Sequence, residues 1–173
     1  MRVFSHDESR FGLLPVRRRR LTAQGVQPSG AVQHVCEGFS VYGAVAPTTG
    51  ERFFRELPSL NAARFQRFIA AFAEAFSDRF HIPLLDNSGA QTAQRLTSPA
   101  NVRVVFLPPS GPELNPSERV WRDLKDDLAW QQFLNGDAQH DEVAQLWRAD
   151  DAPTLPSLTG YTYLVEAVKA LLT

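Results

Sequence analysis

The chain has 173 residues, 43% hydrophobic and 21% charged, with a formal net charge of −1. These values describe an ordinary globular protein of one domain, or one domain with a small appendage, and exclude disorder, collagen and coiled coil. No stretch approaches the roughly 20 apolar residues of a membrane helix, and the N-terminus MRVFSHDESR lacks the build of a signal peptide, so no membrane partner and a cytoplasmic location are expected. The single cysteine, Cys36, excludes an internal disulfide and is expected to be a small buried residue. Charge is distributed unevenly. Residues 1–30 carry six arginines against Asp7 and Glu8, whereas residues 119–151 carry four cations against eight acids, an asymmetry that a binding surface could use.

In chain order, Val3 to His6 reads as a short strand ending at Asp7, followed by a loop containing the run Arg17, Arg18, Arg19 and Arg20. Residues 31–45 and 51–57, rich in Val, Phe and Tyr and separated by the turn at 47–50, suggest an antiparallel meander. Ser59 is placed to cap a helix, along which Phe65, Phe68, Ile69, Phe72 and Phe76 form one apolar stripe at helical spacing. Residues 81–85, ending at Asp86, and 102–107, ending at Pro108, read as buried strands beside a helix, the parallel pattern. Near residue 116 a second helix begins. Asn115 can cap it, Pro116 suits its first turn, and Glu118 stands three residues after the cap, as in a capping box. Val120, Trp121, Leu124 and Leu128 give it an apolar face, with Trp121 expected in the core. Beyond Trp130 the sequence reads as an acidic, proline-containing loop and then a last amphipathic helix from Tyr161 to Leu172.

Three acids thus stand at the ends of elements. If the first strand neighbours the strand before Asp86, both aspartates emerge at one end of the sheet, and a helix laid on that sheet can bring Glu118 to the same point. Carboxylates about 4 Å apart repel by about 4 kcal/mol per pair at an effective dielectric of 20. They need a cation, and hard oxygen ligands suit Mg2+ or Mn2+. Two such ions would activate a water or a 3′-hydroxyl at a phosphodiester and stabilise its leaving oxygen. Taken singly each acid has a plain reading: Asp7 and Asp86 as turn residues, Glu118 as a cap. Glu8 is a lesser candidate ligand. Arg17 to Arg20 are either a solvated run or a phosphate track, and Asn87 and Asn115 are turn or cap residues that could also orient the acids.

The pieces also carry a resemblance. Asp86-Asn87 followed by FLPPSGPELNPSERVWRDLK at 106–125 resembles the signature of DDE transposases of the mariner and bacterial insertion-sequence type, whose form is Asp-Asn and later Leu-Pro-Pro-x-Ser-Pro-Glu-Leu-Asn-Pro-x-Glu-x-x-Trp-x-x-Leu-Lys. Residues 7–12, with the arginines and Gly25-x-x-Pro28 after them, are similar to the family's first-aspartate region. The resemblance covers about residues 3–130 and implies an α/β ribonuclease H-like fold: a mixed sheet with an antiparallel meander, flanked by helices. It implies a catalytic domain at 1–130, with residues 131–173 packed on it or appended. Asp7, Asp86 and Glu118 would be the catalytic triad, holding two Mg2+ or Mn2+ ions that cut transposon ends and join them to target DNA. The implied partners are double-stranded DNA, a separate or frameshift-fused N-terminal DNA-binding half, and a second copy of the chain. The alternative is a catalytically inactive remnant, at most a DNA-binding or dimerising module. Gly89-Ala90-Gln91, where the family usually has a histidine, and the six residues before Asp7, where it has a helical DNA-binding region, favour that alternative. A nuclease acting on RNA–DNA hybrids would share fold and metals, but the proline-rich signature points away from it.

Overall fold

A computed structural model describes residues 1–13, 21–30, 35–59, 61–86, 96–108, 114–149 and 154–172. Its centre is a five-stranded sheet of order β3-β2-β1-β4-β5, built from β1 (Arg2–Gly12), β2 (Gly38–Val45), β3 (Arg52–Leu57), β4 (His81–Leu85) and β5 (Val105–Phe106). The pairs β1–β2 and β2–β3 are antiparallel, as the meander reading expects. β1–β4 and β4–β5 are parallel, so β1 and the strand before Asp86 are neighbours. Five helices complete the described chain: α1 (Ala62–Ala75), α2 (Ser117–Asp127), α3 (Gly136–Ala149), α4 (Thr154–Thr159) and α5 (Thr162–Leu172). None of the described helices is long and apolar enough to cross a membrane.

Strand alternation sorts the chain onto two faces. On one, Phe4, Tyr42, Ala44 and Leu85 meet the α1 stripe Phe65, Phe68, Ile69 and Phe72. On the other, Phe11, Val41 and Val45 meet Val120, Trp121 and Leu124 of α2, Val143 and Trp147 of α3, and Leu155 of α4. Trp121 is 5% exposed and lies edge-on to Phe11 and Trp147, so it is a core residue. Rings of this size bury roughly 150–250 Å2 each, which makes the aromatic pile the main apolar cement of both layers.

Several expectations need correction. β1 does not stop at Asp7: it runs on through Gly12, pairing Asp7 with Gly43 and Glu8 with Tyr42, because the antiparallel pairing with β2, which continues to Gly12 opposite Gly38, holds a polar sequence extended. The cap of α1 is Asn61, whose Oδ1 accepts from the Arg64 N–H at 3.0 Å, while the Ser59 hydroxyl instead accepts from the Asn61 amide. The edge strand β5 is only Val105–Phe106, with a single further bridge between Val102 and His81. The acidic stretch expected as loop contains α3, docked by Gln139 Nε2 donating to the Gly12 carbonyl at 3.1 Å and by the buried hydrophobic residues Val143 and Trp147. Cys36 is exposed rather than buried. Residues 31–34, expected as strand, and Arg17 to Arg20 lie outside the described residues.

Gly43, opposite Asp7 in the register, has a structural reason to lack a side chain. A Cβ there would stand 2.6 Å from the Phe54 ring and 2.9 Å from that of Trp121. Gly43→Ala should therefore lower stability by ~1–3 kcal/mol through overpacking, read by urea unfolding; a loss under about 0.5 kcal/mol would show that the two rings yield freely.

Candidate active site

β1 and β4 run in register from Arg2 opposite His81 to Ser5 opposite Leu84. Carried on by two residues, that register sets Asp86, just past the end of β4, at the level of Asp7 on the next strand, about 4.8 Å away in the pairing direction. Ser5 and Asp7 share the sheet face that carries α2, because side chains two apart on a strand point the same way.

The first turn of α2 is fastened to this point by Asn115, which is 2% exposed. Its Nδ2 donates to the His6 carbonyl at 2.9 Å. Its Oδ1 accepts from the Ser5 hydroxyl and from the Ser117 N–H at 3.2 Å, while the Ser117 hydroxyl donates to the Ser5 oxygen at 2.8 Å. Asn115 thereby caps the helix, with its own carbonyl accepting the Glu118 N–H at 3.3 Å. The reciprocal half of the expected capping box is not formed: among the described residues the Glu118 carboxylate makes no hydrogen bond, and Glu118 is exposed at the helix start. The side chain is left for other work.

The acids sense one another. The Asp7 carboxyl is pushed up to about 7, first by burial and then by the negative charges of Glu8, Asp86 and Glu118; a backbone hydrogen bond from the Glu8 N–H is the influence that opposes them. Glu8, on the other face of β1, is likewise raised to about 7 by burial and by Asp86. The expected convergence within ligating distance is not reached. Among the described residues no three His, Cys, Asp or Glu side chains stand close enough together to hold a metal ion. What the fold brings together is a field of mutually repelling carboxylates midway along β1 and just past the end of β4, a donor set made of hard oxygen atoms.

Asn87 and Arg17 to Arg20 lie outside the described residues. Three groups at the site escaped the sequence reading. Ser5 and Ser117 supply the hydroxyls of the Asn115 network, and the only sequence signal was that Ser5 precedes Asp7 by two on a strand. His6 is fully buried among Phe65, Phe68 and Tyr42, and burial lowers its pKa to about 4. The neutral ring donates from Nδ1 to the Gly43 carbonyl at 2.6 Å, which leaves Nε2 as an acceptor, 3.9 Å from Glu8. His6 therefore clamps β1 to β2 at the level of Asp7.

Comparison with known proteins agrees with this architecture. The DDE superfamily endonuclease profile matches residues 2–138, and the chain belongs to that family. An uncharacterized protein of Sinorhizobium fredii (strain NBRC 101917 / NGR234), y4pE/y4sA, is 34% identical over 87 residues, half of this chain and 64% of that relative. Among solved structures the fold is similar to the Mos1 transposase paired-end complex with left transposon end (TM-score 0.67, 18% identity) and to the Mos1 mariner paired-end complex with Mn (TM-score 0.69, 17% identity). Each match covers 92% of this chain, which spans about half of the Mos1 chain, 51% and 52% respectively. The fold is thus the ribonuclease H-like one of a DDE transposase catalytic domain.

Replacing Asn115 by Ala would leave the His6 carbonyl and the Ser117 N–H without their partners in a dry environment. At about 1–3 kcal/mol per orphaned group, the variant should lose on the order of 3 kcal/mol in urea unfolding. A loss below about 0.5 kcal/mol would mean that packing alone seats α2.

Proposed function

We propose that the chain is the catalytic part of a DNA transposase that hydrolyses phosphodiester bonds at transposon ends and joins the freed ends to target DNA. What supports this reading is that Asp86 and Glu118 both act on the buried Asp7 carboxyl through their charge, while Asn115 pins the Glu118 helix against β1. The three carboxylates would hold the divalent ions. The donor set fits Mg2+ or Mn2+, since it offers hard oxygen atoms and a negative field that pushes the Asp7 carboxyl well above its ordinary range. When bound, a pair of such ions supplies an activated water or 3′-hydroxyl and neutralises the leaving oxygen. The chain's own residues do the rest: the sheet fixes the two aspartates at one level, the Asn115 network fixes the helix start, and Trp121 anchors the helix from beneath.

On this reading the substrate is double-stranded DNA, held in part through Arg17 to Arg20, and Asn87 helps to orient Asp86. The Mos1 structures are paired-end complexes, one of them with a left transposon end, which supports a DNA partner here. It also supports a second copy of the chain. Because the chain spans about half of the Mos1 chain, a separate or frameshift-fused N-terminal DNA-binding half completes the proposal, acting in the cytoplasm. The competing reading, an inactive remnant, draws on one observation: among the described residues no three acids stand at ligating distance.

Calorimetric titration separates the two. The wild type should bind Mn2+, and Asp86→Asn should weaken that binding at least about tenfold and abolish Mn2+-dependent nicking of supercoiled plasmid. No Mn2+ binding by either protein would sink the enzymatic reading and leave the remnant.

A further inference from the structure

The family match ends at residue 138, yet the chain continues into α4 and α5, which pack back onto the helix carrying Glu118. Leu155 of α4 is fully buried against Val120, Trp121 and Leu124. The start of α5 reaches further, to the helix N-terminus itself. The Tyr163 hydroxyl donates to the carbonyl of Leu114, the residue before Asn115, and the Arg119 guanidinium stands 4.4 Å from the centre of the Tyr161 ring. Residues 114 and 119 bracket Glu118. The turn between the two helices is itself fixed: the Gly160 N–H donates to the Pro156 carbonyl at 2.8 Å, the Tyr161 N–H to the Thr159 carbonyl at 2.8 Å, and the buried Thr159 hydroxyl to the Leu155 carbonyl at 2.6 Å.

We infer that Tyr161 and Tyr163 form a brace that positions Glu118, by gripping the first turn of α2 at Leu114 and Arg119, beside the Asn115 staple. The Asn115 staple and the buried face of Val120, Trp121 and Leu124 seat the helix on the sheet, but neither holds the exposed side of its first turn, where Glu118 and Arg119 stand. The contacts at Leu114 and Arg119, with Leu155 beneath, hold that side and so set the direction in which the Glu118 carboxylate leaves the helix. A charged side chain over an aromatic face is favourable where it is partly shielded from water, and the hydroxyl contact adds direction. Both tyrosines touch Glu118's neighbours and not Glu118 itself, so they are positioning residues. The inference rests on the proposed role of Glu118, but its physical core, that the brace orders the first turn of α2, does not.

The test uses the full chain with Tyr163→Phe, which removes only the hydroxyl, and Tyr161→Leu, which removes the aromatic face but stays apolar, singly and together. Amide hydrogen exchange reports local opening independently of any ligand. In the double variant, exchange in peptides covering 114–121 should quicken about fivefold or more, while α1 and the thermal midpoint stay unchanged. Mn2+ affinity should fall about tenfold, the size expected when a group that orients a ligand is lost, with Tyr163→Phe alone intermediate. Unchanged exchange at 114–121, a uniform acceleration over the whole chain, or unaltered Mn2+ affinity in the double variant would each overturn the brace. A wild type that binds no Mn2+ would instead sink the enzymatic reading, and the exchange pattern alone would then decide whether the brace orders the helix.

Discussion

One buried carboxamide joins the two segments on which the site depends. β1 supplies Asp7 and α2 supplies Glu118, more than a hundred residues apart in sequence, and Asn115 bonds both at once. A carboxamide suits the task because it donates and accepts from the same planar group. A carboxylate would lose the bond to the His6 carbonyl and add a charge to the cluster that repels Asp7; an apolar residue would strand polar groups on both partners. The network is closed by two serine hydroxyls, so each polar group at this junction meets another. Inside a protein such a network is rigid when satisfied and costly when broken. Everything else about the site, including the shared level of the two aspartates and the seat of Trp121, presupposes that α2 starts where Asn115 puts it.

The central strand has two different jobs on its two faces. Ser5 and Asp7 face α2 and build the site, while Phe4 and His6 face α1 and build the core. The strand cannot shift by one residue without exchanging the two sets. The clamp from His6 to the Gly43 carbonyl and the fit of Gly43 under Phe54 and Trp121 hold the register at the very level of Asp7. A buried neutral histidine with no metal-ligand spacing is thus the means by which the core fixes the site.

Much of this was legible in the residues. The α1 stripe, the meander and the parallel character of the strand before Asp86 follow from periodicity and turn chemistry, whereas the pairing of β1 with β4 entered the sequence reading only as a condition. What stayed hidden has physical causes. Residues 5–10, SHDESR, carry no strand signal of their own; pairing with β2 along their whole length, with β4 alongside only as far as Ser5, keeps them extended, and tertiary hydrogen bonding overrides propensity. Helix α3 was obscured because it buries only Val143 and Trp147 among its hydrophobic residues and presents acids elsewhere. Asn115 was read as a cap, which it is. That its side-chain amide N–H would also reach β1, at the His6 carbonyl, depends on a contact across more than a hundred residues, which no local pattern records.

The site also departs from what folding alone would favour. A chain selected only for stability would not crowd Asp7 and Glu8, midway along its central strand, against Asp86 just past the end of the next one, where burial and mutual repulsion raise Asp7 and Glu8 to about 7. Such violations of local consistency concentrate where function demands them. Here the surrounding structure bears the expense on both sides: aromatic layers pack each face of the sheet, and the first turn of α2 is held at Asn115 from within and at Leu114 and Arg119 from without. A destabilised acidic cluster inside so firmly held a frame is the arrangement expected when the frame serves the cluster, rather than the cluster the frame.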